Sequence, residues 1–205
     1  LDLPYAMSHG LKNEGAKITA QLLETTDAME VVNDILIPAL DSAGKLFEQG
    51  KIFLPQLIQT ASVAQAAFEV IKTTLIERNA APVSRGEIVL ATVKGDIHDI
   101  GKNIVRVLLE NYGYTVLDLG RDVPCQLVAD TAKEHGVKLV GLSALMTTTL
   151  GAMEETIQLV KASCPDCKIV VGGAVLTADY AEKIGADYYA KDAMETVAVA
   201  KEVVG

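Results

Sequence analysis

The sequence predicts a two-part α + α/β protein: an N-terminal four-helix bundle over residues 1–80, a linker over 81–86, and a five-stranded parallel sheet wrapped by helices over 87–205. Three observations predict it. Over residues 4–78 apolar side chains recur at helical spacing, with no competing alternation. Residues 79–86 then break that period with proline and glycine and carry no apolar face. Beyond them, short β-branched runs alternate five times with helical stretches.

In the first part, Leu11, Ile18 and Leu22 mark one helix. Asp27 before Ala28-Met29-Glu30 has the pattern of an N-cap with an acid three positions on, and opens a second. A third spans 38–47 and closes at Gly50, where glycine can adopt the left-handed conformation that ends helices. The fourth begins near Leu54-Pro55 and lines up Leu57, Ala61, Ala64, Phe68, Ile71 and Leu75 on one face. Each helix has one apolar stripe to bury, which suits a small bundle. In the second part the strand and helix pairs are 88–93 with 100–111, 115–119 with 125–135, 139–142 with 150–163, 169–171 with 178–184, and 188–190 with 193–203. Strands that are apolar on both faces and separated by crossover helices imply a parallel sheet covered on both sides. Five such units favour the flavodoxin-like (Rossmann-type) order 2-1-3-4-5. Its ligand lies beyond the carboxyl ends of the strands, so the loops after strands one, three and four are expected to carry the chemistry.

Of the 205 residues 50% are hydrophobic and 22% charged, with mean hydropathy +0.28, which excludes a disordered or collagen-like chain. A net charge of −9 without a run of Lys or Arg argues against nucleic acid and anionic membranes, both of which select a positive surface. No stretch approaches the ~20 apolar residues of a bilayer span and no signal peptide is visible, so a soluble, cytoplasmic protein is expected. The opening Leu1 in place of an initiator methionine suggests a piece of a longer polypeptide. Three cysteines cannot all pair within one chain, and thiols are expected. Cys164-Pro165-Asp166-Cys167 has the spacing of a redox pair or half a zinc site, but it lacks a second pair and reads as a surface turn before the fourth strand. Cys125, opening the second helix after Pro124, has no catalytic reading.

The loop after the first strand runs Lys94-Gly95-Asp96-Ile97-His98-Asp99-Ile100-Gly101-Lys102-Asn103. It is not a phosphate loop, because five residues separate Gly95 from Gly101 and Asn103 stands where the hydroxyl belongs. One reading makes Asp96 the cap of the next helix and His98 a solvated side chain. The other makes His98 a metal ligand through one ring nitrogen, with Asp96 holding the second nitrogen. A zinc site needs three or four protein ligands, and neither His9 nor His135 falls in a neighbouring loop. One ligand suffices only for a metal that arrives with its own macrocycle.

Asp96-x-His98-x-x-Gly101, with Ser143 after strand three and Gly172-Gly173 after strand four, resembles the cobalamin-binding fold. The resemblance implies cobalamin as cofactor, cycling between methylcobalamin and cob(I)alamin. It makes His98 the lower axial ligand of cobalt in place of dimethylbenzimidazole, with Asp96 as hydrogen-bond partner and Thr149 as the hydroxyl behind it. Methionine synthases have Ser at this last position; Thr keeps the hydroxyl and adds a methyl. The displaced nucleotide tail is implied to enter a slot beside the sheet, met by Ser143 and Thr147 and given room by Gly101, Gly172, Gly173 and Ala193. Gly95, Ile97, Asp99 and Leu145 are implied as further cofactor contacts. Lys45 to Gln56 resembles the segment by which the helical cap of methionine synthase covers the corrin, aligning Phe47 and Leu54 with the residues that touch the methyl group. By spacing alone Phe47 and Leu54 are core residues. Asn33 stands where the family's cap has an acid.

A helical cap ahead of the cobalamin fold marks methyl-transfer corrinoid proteins, whereas mutases set the fold against a barrel. The resemblance therefore implies a component of a cobalamin-dependent methyltransferase. It would carry a methyl group between methyl-donor and methyl-acceptor methyltransferase domains or proteins, with a reductive reactivation partner. A cobalamin-dependent regulator and a mutase cobalamin domain are the alternatives. Within the methyl-carrier class, a methionine synthase-like module and a free-standing corrinoid protein of an O-demethylase or methylamine system both remain open.

Overall fold

A computed structural model describes residues 1–78 and 84–205, so the expected linker lies partly outside the described residues. The chain divides into two compact units, Leu1–Ser84 with Glu110–Gly113, and Arg85–Leu109 with Tyr114–Gly205.

In the helical unit, α1 (Leu3–Ser8) and α2 (Lys12–Leu22) are followed by α3 (Ala28–Glu30), which passes through a π-helical stretch, Val31–Leu36, into α4 (Ile37–Glu48); α5 (Leu54–Glu77) closes the unit. Asp27 caps α3 by accepting from Met29 N at 2.8 Å. The expected break between the second and third helices does not occur. Ile37 N donates five residues back to Val32 O, and this widened turn carries the helix past Pro38, which has no N–H to offer and needs room for its ring. A short helix absent from the sequence reading, α1, forms instead, with Asp2 accepting from Tyr5 N at 2.9 Å. Gly10, at φ +69°, separates it from α2. The end of α4 follows its sequence signal: Gly50 is left-handed at φ +69°, Gly50 N donates to Phe47 O and Lys51 N to Leu46 O. On α5, Leu57, Ala61, Ala64, Phe68 and Ile71 are buried. Counting α3–α4 as one bent helix, the unit holds four among the described residues.

The second unit contains β1 (Glu87–Thr92), α6 (Ile100–Asn111), β2 (Thr115–Asp118), α7 (Cys125–His135), β3 (Leu139–Ser143), α8 (Leu150–Ser163), β4 (Lys168–Gly172), α9 (Ala178–Lys183), β5 (Tyr188–Tyr189) and α10 (Ala193–Val203). The strands form a parallel sheet in the order β2-β1-β3-β4-β5. Val89, Ala91, Val140 and Val171 point to one face and pack with Val128, Ala132, Met153 and Ile157 of α7 and α8. Each buried Val, Leu or Ile there contributes roughly 1.5–3 kcal/mol. Alternate residues Leu90, Gly141 and Val170 point the other way and line a cavity. Register sets Thr92, Ser143 and Gly172 abreast at the carboxyl edge. Cys125, Cys164 and Cys167 are free thiols. Cys167 N closes the turn onto Cys164 O at 3.0 Å, and burial pushes the Cys167 thiol up to about 12, so it stays protonated at neutral pH. Among the described residues no helix is long and apolar enough to cross a membrane.

Candidate functional site

The loop between β1 and α6 leaves the sheet beside β3, where Val93 N donates to Ser143 O at 3.0 Å. Gly95, at φ +85°, then turns the chain inward and buries Asp96 completely. Its carboxylate collects five donors. Oδ1 accepts from His98 N at 3.0 Å and lies 2.8 Å from His98 Nδ1. Oδ2 accepts from Leu145 N at 2.7 Å, Met146 N at 3.2 Å and the Thr149 hydroxyl at 2.9 Å. Burial by itself would raise the Asp96 pKa, but the donors from His98, Leu145 and Thr149 outweigh it and hold the carboxyl well below the usual carboxylate range. An ionised carboxylate can only accept. The His98 Nδ1 therefore carries the ring proton, leaving the Nε2 lone pair directed away from Asp96. The alternative reading, in which Asp96 caps the following helix, does not hold: the first turn of α6 closes from Asn103 N to Asp99 O at 2.8 Å, and the Asp96 carboxylate bonds elsewhere.

His98 opens onto a cavity of about 710 Å³ beside the Leu90–Gly141–Val170 face of the sheet. Expected residues Asp99, Gly101, Ser143, Gly172, Gly173 and Ala193 line it. Ile97, Ile100 and Leu145 line it too, at 59%, 78% and 41% exposure, an apolar rim around the imidazole. Ser143 Oγ lies 3.0 Å from Thr92 Oγ1, one strand away. Gly95 and Thr149 support Asp96 from outside the lining, and Thr147 is exposed on the turn that leads to Thr149. Phe47 and Leu54, in the helical unit, are half-buried, while neighbouring Phe53 is 74% exposed.

The residues fit a macrocyclic metal and not a bare ion. Among the described residues no group of three His, Cys, Asp or Glu side chains could hold a metal, so the single imidazole nitrogen needs a metal whose other ligands come with it. The cavity also requires absent side chains. A Cβ on Gly141 would stand 2.5 Å from Leu90 Cδ2, and one on Gly172 3.1 Å from Ala190 O. A cavity of this size, mostly apolar with a few polar lining groups such as Ser143 and Lys102, suits an organic ligand.

Profiles of the B12 binding domain match residues 86–198 and 2–72. The chain belongs to the B12-binding family. Its cofactor is cobalamin. Dimethylamine corrinoid protein 1 of Methanosarcina acetivorans is 43% identical to this B12-binding chain over 180 residues, 87% of this chain and 84% of that one. Trimethylamine corrinoid protein 1 of Methanosarcina mazei is 39% identical over 189 residues, 91% of this chain and 88% of that one. Among solved structures, a cobalamin-binding protein from Desulfitobacterium hafniense DCB-2 is 32% identical with TM-score 0.80, covering 99% and 97% of the two chains. The methanol:cobalamin methyltransferase complex of Methanosarcina barkeri is 28% identical with TM-score 0.86, covering 98% of this B12-binding chain and 78% of that chain.

Of the lining residues that sequence reasoning missed, three are instructive. Gly141 carried a readable signal, a glycine inside an otherwise apolar strand. Ile100 looked like an ordinary first helical residue. Lys102 lines the cavity with its side chain buried by a 2.6 Å ion pair to Asp118, a pairing no local pattern announces.

Proposed function

We propose that this protein is the methyl-carrying corrinoid component of a methyltransferase system acting on methylated amines, in which His98 Nε2 would hold the cobalt of the bound cobalamin. The observation that carries the proposal is the Thr149–Asp96–His98 hydrogen-bonded chain, which engages Nδ1 and leaves Nε2 of a cavity-lining imidazole for a ligand. When bound, cobalamin supplies a cobalt centre able to accept and surrender a methyl group. The chain's own residues do the rest. Asp96 fixes the His98 tautomer and, through the contact of its Oδ1 with His98 Nδ1 at 2.8 Å, would hold the imidazole in one orientation toward a bound metal. Ile97, Ile100 and Leu145 offer an apolar surface beside the imidazole against which a corrin ring would pack, and Ser143, Gly172 and Ala193 line the cavity that would take the nucleotide tail.

The names of the relatives favour a corrinoid protein of a methylamine system over a methionine synthase-like module, and they supply the substrate class. Methyl-donor and methyl-acceptor methyltransferases and a reductive reactivation partner are then the partners. Phe47 and Leu54 are assigned to shielding the transferred methyl group on the sequence resemblance alone. The test is reconstitution with hydroxocobalamin and electron resonance of the Co(II) form. The parent should show one protein nitrogen on cobalt and His98→Ala should lose it; a signal that persists in His98→Ala removes the ligand assignment. Methylation of the loaded protein, first reduced to the Co(I) state with a chemical reductant, by a dimethylamine methyltransferase with dimethylamine should proceed, and failure there with success for a methanol methyltransferase with methanol would transfer the protein to another substrate class.

A further inference from the structure

Asp122 lies outside the cavity lining, in the loop after β2, at φ +50°. Among the described residues it is the single non-glycine residue at positive φ. Asn and Asp reach this region more readily than other side chains, yet it is still a disfavoured conformation that surrounding contacts must hold. Here the contacts all run to one segment. The Asp122 amide donates to Asp96 O at 2.9 Å, and its carboxylate Oδ1 accepts from Gly95 N at 2.7 Å. The next residue, Val123, forms a parallel bridge with Val93 and donates to Thr92 O at 3.1 Å. The loop after β2 is thereby zipped to the stretch of chain that delivers Asp96 and His98.

We propose that Asp122 is a positioning residue for the cobalt-ligand loop, clamping Gly95 and Asp96 from behind so that the Asp96 carboxylate and the His98 imidazole stay in register with the cavity. The inference rests on His98 being the ligand. A carboxylate tied by five donors is useful to the imidazole only while its own backbone is stationary. The three backbone hydrogen bonds accepted by the Asp96 carboxylate, two from the loop after β3 and one from His98, hold its side chain and leave its own main chain to other partners. Asp122 grips the main chain of Gly95 and Asp96 from a different loop, the one after β2, and so adds the restraint that the carboxylate's own partners do not supply.

Three substitutions in the full chain separate the effects. Asp122→Asn keeps a side-chain acceptor and tolerance of positive φ; Asp122→Gly keeps the backbone conformation and amide donor but loses the acceptor; Asp122→Ala loses the acceptor and strains the backbone. In the cofactor-free protein the amide of Gly95, an exposed residue, should exchange about tenfold faster in the Gly variant than in the parent or the Asn variant. Hydroxocobalamin binding should weaken about tenfold in Asp122→Gly and Asp122→Ala and stay near the parent value in Asp122→Asn, the usual size of an outer-shell effect. The protein-nitrogen signal of bound Co(II) should fall in the same two variants. Parental affinity and nitrogen signal in Asp122→Gly would reduce Asp122 to a turn residue. An Asn variant as impaired as the Gly variant while Gly95 remains protected would overturn the hydrogen-bond account. Should His98→Ala keep the parental nitrogen signal, the ligand reading fails, and the Gly95 exchange rates still report separately whether the clamp exists.

Discussion

Asp96 divides its two oxygens between different tasks. Oδ1 serves His98 through ring and backbone, while Oδ2 is tied to the β3 loop and to Thr149. The threonine in place of serine does not disturb this, because its hydroxyl reaches Oδ2 at 2.9 Å while its methyl sits 3.4 Å from where a Gly95 Cβ would be. A carboxylate whose pKa is depressed in the folded state adds stability at pH values above its unfolded value of about 3.9, and that contribution is lost as pH falls through the folded value. Urea denaturation of the cofactor-free parent and of Asp96→Asn should therefore differ most near neutrality, with the parent's advantage shrinking once pH drops below about 5. An advantage that is constant from pH 7 to about 3 would mean that Asp96 is not held ionised.

Parallel strands deliver their loops to one edge, and at that edge the glycines serve two distinct ends. Gly173, at φ +139°, has no room: a Cβ would stand 1.8 Å from Ala144 O, so the loops after β3 and β4 touch through backbone. Gly101, near the start of α6, has nothing within 4 Å of its missing Cβ and no unusual φ. Folding therefore needs glycine at 173 and is indifferent to it at 101. Gly173→Ala should lower unfolding free energy by more than about 1 kcal/mol. Gly101→Ala should leave it unchanged or raise it by up to about 1 kcal/mol through helix propensity, while still weakening cobalamin binding. Chemical denaturation paired with a cobalamin titration measures both; cobalamin affinity unchanged in Gly101→Ala would take that position out of the ligand path.

Every residue placed around the cavity belongs to the α/β unit. A ligand that binds only the folded state stabilises by RT ln(1 + [L]/Kd), about 2.7 kcal/mol at a free concentration of 100 Kd. Amide exchange with hydroxocobalamin at that excess should show β1, β3 and β4 gaining protection of about that size. Strands that gain none would show that the bound cofactor rests on the loops without coupling to the sheet.

Local pattern carried much of this protein. Period and punctuation are written into neighbouring residues, so the helical half, the five strand–helix units, the order 2-1-3-4-5 and the loop carrying Asp96 and His98 were legible before any coordinates. The Gly50 signal at the end of α4 was equally readable, because the left-handed position belongs to the helix end itself. Pro38 misled for the complementary reason: a proline signals a break, and only the packing of the helical unit could favour a widened turn in its place. Likewise the donors from Leu145 N and Met146 N to Asp96 come from main-chain groups about fifty residues away, and every residue has such a group whatever its side chain. The Asp122 clamp and the Lys102–Asp118 pair are of the same kind. Sequence determined which side chains could do the chemistry; tertiary structure alone decided which backbone amides and distant charges hold them, because those contacts arise from chain closure and leave no local pattern.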